Sequence, residues 1–298
     1  MSLTVPSGCG TALVTPFRAD GSLDEPALRS FVDWQVTSGM HFLIPCGTTG
    51  EASTLSDEEW LQVVTLTVQT VRGRVPVFAG CTHNSTAVAV DRAQRISKIP
   101  GLTGILTASP YYNKPSQEGQ FQHFSAIARA IPLPIILYNI PGRTGVNLEP
   151  ATVRRLHTAH QNIVAVKESS GNLAQISECI TQARPGFHVL AGDDGVGVNV
   201  VELGGKGLVS VASNEIPAQM SQMIQLALDG DLPAARTIES RVAALLKANF
   251  CEPSPAPCKA LLNLMGKMSD AVRLPIVPAT PDARAKLSAI GKDLGLIP

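Results

Sequence analysis

Residues 134–138 read "PIILY" and residues 162–167 read "NIVAVK". Both are short, nearly continuous apolar runs rich in β-branched residues, and a segment of helical period, 149–158, lies between them. Runs of this kind indicate parallel strands that are buried on both faces of a sheet. The same alternation recurs along most of the chain, and it predicts the fold.

Eight strand-like runs alternate with eight segments of helical period. The predicted strands are 8–15, 42–46, 75–80, 103–108, 134–138, 162–167, 187–191 and 207–211, and the predicted helices are 24–38, 56–72, 84–98, 117–130, 149–158, 172–183, 194–203 and 216–228. Eight such units in about 230 residues match a (β/α)₈ TIM barrel better than an open doubly wound sheet. The first strand also lacks the G-x-G-x-x-G that follows it in dinucleotide-binding sheets.

The alternation stops after about residue 229. Three further helices are predicted at 231–249, 256–268 and 282–294, joined by proline-rich connections. The sequence therefore predicts an α/β barrel over residues 1–229, which carries the active site, and a small C-terminal helical appendage over residues 230–298.

Composition narrows the class of protein. The 298 residues carry 24 basic and 24 acidic side chains, so the net charge is zero, and no basic stripe is present. This balance argues against nucleic acid or an anionic membrane as a partner. No leader segment or long apolar run is visible, and the six cysteines form no C-x-x-C pair, so we expect a cytoplasmic protein with reduced thiols.

Lys167 is the strongest candidate for catalysis. Functional side chains of a barrel gather at the C-terminal ends of its strands, and of nine lysines only Lys167 closes an apolar strand. A lysine that points into a barrel mouth loses hydration, which disfavours its ammonium form. The neutral amine is the nucleophile that forms an imine with a ketone or aldehyde. The alternative is a strand-end lysine that forms a salt bridge with Glu168.

The three tyrosines of the chain belong to the same rim. Tyr138 ends the fifth predicted strand, and Tyr111 and Tyr112, in "SPYYNKPSQEG" (109–119), follow the fourth. Imine chemistry moves protons on and off a carbinolamine, and a phenol that another hydroxyl holds in place can relay them. The tyrosines therefore favour the imine-forming interpretation of Lys167.

Two more loops add groups that bind carboxylates. Thr48 and Thr49 lie in "CGTTGE", where a glycine-flanked loop offers both hydroxyls and backbone N–H groups. Arg143, in "PGRTG", offers a bidentate guanidinium for a second carboxylate. His157 and His160 have no third ligand nearby, so a metal site is not favoured.

Five motifs, in the same order, resemble the dihydrodipicolinate synthase family within the pyruvate-dependent class I aldolases. They are "GTTGE", "PYYNKPSQEG", "YNIPGRTG", "VAVKESSGNL" and "AGDD", and the resemblance covers residues 10–278, nearly the whole chain. It implies a lyase that condenses pyruvate with L-aspartate semialdehyde to 4-hydroxy-tetrahydrodipicolinate, in lysine and diaminopimelate biosynthesis. It also implies no cofactor other than the covalent Schiff base, and a homotetramer built as a dimer of dimers.

The resemblance assigns a role to each catalytic residue. Lys167 forms the Schiff base with pyruvate. Tyr138 relays protons and is linked through Thr48 to Tyr112, which a neighbouring subunit inserts, whereas Tyr111 packs in the interface.

The resemblance also assigns the substrate-binding residues. Thr49 and the adjacent backbone hold the carboxylate of pyruvate, and Arg143 receives the carboxylate of the aldehyde. Gly192 and Val209 line the pocket through main-chain groups.

Relatives that lysine inhibits carry two histidines and a glutamate where this chain has Asp57, Trp60 and Val88. Feedback inhibition by lysine is therefore not expected.

Two other functions remain open from the sequence. The first is a sibling enzyme on the same scaffold, such as an N-acetylneuraminate, keto-deoxy-sugar or hydroxy-oxoglutarate lyase, or a dehydratase. The loop with Arg143 favours a small carboxylated aldehyde, although sugar-acid aldolases can keep a similar loop. The second is a binding or regulatory protein without catalysis, which the retained lysine and tyrosines disfavour.

Overall fold

Eight parallel strands form a nearly closed barrel in the computed structural model, which describes residues 3–298. The strands are Gly8–Ala12 (β1), Phe42–Ile44 (β2), Phe78–Gly80 (β3), Gly104–Ala108 (β4), Ile135–Asn139 (β5), Ile163–Glu168 (β6), His188–Ala191 (β7) and Gly207–Ser210 (β8). Strand β1 pairs with both β2 and β8, and the other strands pair in chain order. A parallel bridge between Leu43 and Val77 links β2 to the start of β3. The predicted TIM barrel is confirmed.

Helices follow the strands and cover the outside of the barrel. They are Glu25–Thr37 (α1), Asp57–Val71 (α2), Thr86–Ile96 (α3), Gln117–Ala130 (α4), Pro141–Thr144 (α5), Pro150–Ala159 (α6), Leu173–Thr181 (α7), Gly197–Glu202 (α8), Pro217–Leu228 (α9), Leu232–Ala248 (α10), Ala256–Leu264 (α11) and Pro281–Asp293 (α12). Ser56 begins α2 with a capping box, in which its hydroxyl accepts from the Glu59 N–H and Glu59 accepts from the Ser56 N–H. Among residues 3–298, no helix is long and apolar enough to cross a membrane.

Alternate strand residues point into the barrel and fill it. Phe42 and Phe78 pack edge to face in this interior, with ring centroids 6.0 Å apart. Nearer the C-terminal ends, Tyr138 and Val209 belong to the same interior cluster. The other strand residues pack against the helices in a larger outer core. This alternation decides which strand-end side chains face the mouth of the barrel.

The last three helices pack against the barrel and against each other. Helix α10 lies along α9 and also contacts α8, and α12 packs on α10 and α11. These contacts agree with the predicted helical appendage. The proposed boundary after residue 229 stays a prediction, because α9 and α10 form one continuous layer.

Candidate active site

Lys167 and Tyr138 lie side by side at the carboxyl end of the barrel. They are partners in the register of β5 and β6, and both point into the interior. The Lys167 Nζ lies 4.1 Å from the centroid of the Tyr138 ring, and only 7% of Lys167 is exposed. The amine is thus held against an aromatic face, in a position from which it opens to the barrel mouth. A phenol beside a buried primary amine supplies both a nucleophile and a group that can carry its protons.

Gly192 makes room for the Lys167 side chain. It directly follows β7, and a Cβ at this position would lie 2.8 Å from Lys167 Cε and 1.8 Å from Ser169 Oγ. The adjacent strand β8 contributes Val209, which is buried in the barrel interior. Gly192 therefore lies beside the lysine and Val209 in the same barrel interior, and their role in lining the pocket stays a prediction.

Glu168 points away from Lys167, to the outside of the barrel. Its carboxylate accepts hydrogen bonds from the Asn139 amide at 3.0 and 3.2 Å, from the Gln175 amide at 3.0 Å and from the Ser170 N–H at 2.7 Å. Within residues 3–298, Lys167 and Glu168 form no salt bridge. The contacts of Glu168 therefore do not support the alternative in which Lys167 is a salt-bridged strand-end lysine.

Thr48 and Thr49 lie in a tight turn after β2. The Gly50 N–H donates to Gly47 O at 3.1 Å, and the Glu51 N–H donates to Thr48 O at 3.0 Å. Glu51 adopts a left-handed backbone conformation (φ 53°), which reverses the chain. Thr49 is buried and Thr48 is exposed. The structure thus places both threonines in a turn at the carboxyl end of β2, and their proposed roles stay predictions.

Arg143 lies in α5, a single turn that the sequence analysis interpreted as a loop. Pro141 occupies the first turn and Gly145 ends the helix in a left-handed conformation (φ 75°), an arrangement that both residue types favour. The guanidinium of Arg143 is exposed beside the mouth. It makes no salt bridge with any residue in 3–298, so it is available to a carboxylate from solution.

The two tyrosines after β4 face outward. Tyr112 is 88% exposed and adopts a left-handed conformation (φ 74°), and Tyr111 is 39% exposed, with its ring near His83. Within the described chain, no hydrogen bond joins the Tyr138, Thr48 and Tyr112 hydroxyls. The relay stays a prediction, and a single subunit does not assemble it.

His157 and His160 make contacts that are typical of packing. The His157 ring stacks on Phe187 with centroids 4.3 Å apart, and burial lowers the pKa of His157. His160 Nε2 lies 2.8 Å from Ser125 Oγ. In the part of the chain that the structure describes, no three His, Cys, Asp or Glu side chains gather as metal ligands.

Two of the three positions that differ from lysine-inhibited relatives, Asp57 and Trp60, make internal contacts, whereas Val88 is exposed. Hydrogen bonds from Arg95 and Arg92 lower the pKa of Asp57. Trp60 is buried, and its indole N–H donates to Gly80 O at 2.9 Å. The expected loss of lysine inhibition stays a prediction.

Sequence reasoning missed three functional candidates. The first is Ser169, whose buried hydroxyl near Lys167 has no hydrogen-bond partner in the described chain. The others are the Glu168 network and a buried ion pair between Glu51 and Lys259. Period-two alternation from Lys167 places Ser169 on the inner face, so that signal was available in the sequence. The ion pair joins residues 208 positions apart, and nothing in the local sequence indicates it.

The fold and this site define the class of protein. Eight parallel βα units with a buried lysine beside a tyrosine at the carboxyl end are the arrangement of a class I aldolase-type lyase on a TIM barrel.

The chain belongs to the dihydrodipicolinate synthetase family, whose model matches residues 5–294. It is 54% identical to the 4-hydroxy-tetrahydrodipicolinate synthase of Acidobacterium capsulatum, over 98% of this chain and 96% of that protein. The solved dihydrodipicolinate synthase of Thermotoga maritima is 38% identical, with a TM-score of 0.96 over 99% of this chain and all of that one. A solved monomeric variant of dihydrodipicolinate synthase is also 38% identical, with a TM-score of 0.95 over 98% of this chain and 97% of the variant.

Proposed function

We propose that this chain condenses pyruvate with L-aspartate semialdehyde to give 4-hydroxy-tetrahydrodipicolinate, a step of lysine and diaminopimelate biosynthesis. The observation that carries the proposal is the buried Lys167 amine, 4.1 Å from the Tyr138 ring at the mouth of the barrel. The family membership and the identity to named synthases support the choice of substrates.

The proposed reaction begins at Lys167. Its neutral amine attacks the ketone carbon of pyruvate, and the Tyr138 hydroxyl carries the protons that turn the carbinolamine into an imine and water. Loss of a methyl proton gives an enamine, whose carbon attacks the aldehyde. The amino group of the second substrate then displaces Lys167 and closes the ring. The covalent bond to Lys167 supplies the electron sink, so the proposed chemistry uses no further cofactor.

The two substrates are distinguished by two carboxylate sites. Thr49 and the neighbouring N–H groups of the turn bind the pyruvate carboxylate, and the exposed Arg143 binds the carboxylate of aspartate semialdehyde. A sugar-acid lyase on the same scaffold is the second candidate, because such enzymes can keep a similar loop. The exposed guanidinium favours the small carboxylated aldehyde.

The exposed Tyr112 supports a shared active site. A phenol that is 88% exposed on a left-handed backbone is suited to enter a neighbouring subunit, where it joins Thr48 and Tyr138. We propose a dimer as the smallest complete unit, and a tetramer of two such dimers as the assembly. The solved monomeric variant of a related synthase shows that assembly within the family is not fixed.

The first prediction concerns Lys167. Pyruvate and aspartate semialdehyde should turn over in an assay coupled to the next reductase, and borohydride should trap pyruvate on Lys167. Lys167→Ala should abolish both signals, because Lys167 supplies the amine that lies against the Tyr138 ring. If wild-type protein traps pyruvate but does not turn over aspartate semialdehyde, a sugar-acid lyase becomes the better assignment. If folded wild-type protein does not trap pyruvate, catalysis through an imine is rejected.

The second prediction concerns Tyr112 and the partner subunit. Tyr112→Phe should lower kcat by orders of magnitude, because the relay loses its terminal hydroxyl, whereas Tyr111→Phe should retain activity. Mixing inactive Tyr112→Phe with inactive Lys167→Ala should restore roughly a quarter of the wild-type rate, the statistical share for random pairing in a two-fold dimer. A mixture that remains inactive would place Tyr112 outside the partner's site.

A further inference from the structure

Lys259 is the second buried lysine of the chain, and the mechanism does not use it. It lies on α11 with no exposed surface, and its Nζ donates to Glu51 Oε1 at 2.6 Å and to Ala271 O at 2.7 Å. Its Nζ also lies 4.4 Å from the centroid of the Phe17 ring. Burial lowers the pKa of Lys259, and the Glu51 carboxylate opposes that shift. The C-terminal segment thus places a paired cation inside the barrel domain.

Glu51 belongs to the turn that carries Thr48 and Thr49. Its backbone closes that turn through the hydrogen bond to Thr48 O, and its second carboxylate oxygen accepts from the Arg273 N–H at 3.0 Å. On the opposite side, the Thr15 hydroxyl donates to Gly50 O at 2.7 Å. The turn is therefore held between the chain that follows β1 and the C-terminal segment, and Glu51 links it to that segment through Lys259 and the Arg273 N–H.

The Arg273 side chain strengthens this attachment. Its guanidinium forms a bidentate salt bridge with Glu59, and it donates to Gly21 O at 2.9 and 2.7 Å and to Thr54 O at 2.8 Å. The hydrogen bonds that the guanidinium donates to Glu59 raise the pKa of Arg273, so the guanidinium stays charged. Arg273 is consequently fixed to the barrel by contacts of its guanidinium that do not involve Lys259.

We infer that the buried Glu51–Lys259 ion pair positions the Thr48–Thr49 turn for the carboxylate of pyruvate, so that the C-terminal helical segment completes the site of the first substrate. This inference rests on the proposed function. Carboxylate binding by N–H and hydroxyl groups depends on their placement to within about 0.5 Å. The Lys259 ammonium and the Arg273 N–H fix the Glu51 carboxylate, and the buried backbone of Glu51 transmits this placement to the turn. Glu51 and Lys259 are positioning residues, and neither touches substrate.

The test uses the double variant Glu51→Gln/Lys259→Met in the full-length chain. Each single change would leave one buried charge without its partner and endanger folding, whereas the double variant removes both charges and keeps similar volumes. We expect the KM for pyruvate to rise about tenfold, as for the loss of one hydrogen bond to a carboxylate. The KM for aspartate semialdehyde should stay near the wild-type value, because Arg143 lies on a different loop.

Two further variants keep the inference testable. Arg273→Met changes a partly exposed side chain and should raise the pyruvate KM by a smaller factor than the double variant does. It provides the test if the double variant does not fold. Arg241→Met is the matched control, because it breaks an exposed ion pair with Asp293 in the same appendage. It should leave both KM values unchanged.

Three outcomes would overturn the inference. They are a folded double variant with unchanged pyruvate KM, an equal rise in both KM values, and an unfolded double variant accompanied by an unaffected Arg273→Met. The inference can fail while the proposed function holds, because the proposed function is tested on the wild-type protein alone. Wild-type protein that does not trap pyruvate rejects the function, whereas trapping with unaffected variants rejects only the positioning role.

Discussion

Gly192 contributes to the site through the side chain that it lacks. The space where a Cβ would lie is occupied by Lys167 Cε and Ser169 Oγ, both of which face the barrel mouth. A side chain here would meet both the Ser169 hydroxyl and the Lys167 side chain, and at least one of them would have to shift. The position therefore demands glycine for steric reasons, without any need for an unusual backbone conformation.

The third prediction is that Gly192→Ala slows imine formation with pyruvate at least tenfold. The new methyl group must displace Lys167 by a fraction of an ångström or more, and about 1.4 kcal/mol of lost transition-state stabilisation is a factor of ten. Trapping rates with borohydride measure this directly. Gly195→Ala is the control, because its methyl group would meet only Asp193 Oδ1, at 3.4 Å. Equal rates for the two variants would contradict the steric role.

At the scale of single residues, sequence reasoning succeeded where position in a strand decides function. The rule that barrel chemistry lies at the carboxyl ends of strands found Lys167, and the structure places that lysine inside the mouth. The same rule set Lys259 aside as a helical lysine. A buried charge on a helix is recognised only through its partner, and Glu51 lies on a distant loop.

Strand and helix ends around the site are linked by a buried polar network. Asn139 ends β5 and Glu168 ends β6, and the Asn147 amide oxygen accepts from Asn139 at 2.8 Å and from Gln175 at 3.1 Å. Gln175, on α7, also donates to Glu168 and accepts from Asn147. The network therefore ties both catalytic strands to the loop that follows α5. Since α5 carries Arg143, we expect the network to position that guanidinium for the proposed second substrate.

The fourth prediction is that Gln175→Ala raises the KM for aspartate semialdehyde about three- to tenfold while the pyruvate KM stays constant. Loss of the amide leaves Glu168 and Asn147 each short of a partner, and the loop with Arg143 loosens. Initial rates with each substrate varied in turn separate the two constants. Gln182→Ala, which removes only a hydrogen bond to Glu178 at the end of α7, should change neither. A rise in the pyruvate KM alone would refute this role.

At the scale of elements, hydrophobic alternation predicted each strand and each longer helix. It did not predict the residues at which the hydrogen bonding between neighbouring strands begins and ends. The first strand was predicted over residues 8–15 and ends at Ala12, because the chain beyond it leaves the sheet toward the active-site turns. The third was predicted over 75–80 and begins at Phe78. Apolar character continues past the ladder in both cases, since these residues are buried by other layers.

The closure of the barrel and the attachment of the C-terminal helices belong to the whole molecule. The closure follows from the eight repeated units, so it was predictable. The attachment was not, because it depends on contacts such as those of Lys259 and Arg273 with residues more than 200 positions away. Another buried contact of the C-terminal helices joins residues only 34 positions apart, where Asn249, at the end of α10, donates to Glu215 Oε2 at 2.6 Å. Burial raises the pKa of Glu215 well above its usual value.

The last prediction follows from the sign of that shift. An unfolded glutamate has a pKa of about 4.3, so the folded protein retains a proton on Glu215 that the unfolded chain loses. The proton on Glu215 makes its full contribution to the free energy of unfolding below about pH 4.3. This contribution is lost as the pH rises through the pKa of Glu215 in the folded protein. Glu215→Gln has no such loss, and its carbonyl can still accept from Asn249.

We therefore expect Glu215→Gln to exceed the wild type at pH 8 by about 1 kcal/mol in free energy of unfolding, which is roughly 2 °C in Tm for a chain of this size. The difference should shrink toward pH 5, and thermal unfolding across this range measures it. Glu149→Gln, at the exposed residue that precedes α6, is the control for removing one carboxylate from the surface. A Glu215→Gln variant that is less stable by a constant amount at every pH would mean that the buried carboxyl is ionised in the folded protein.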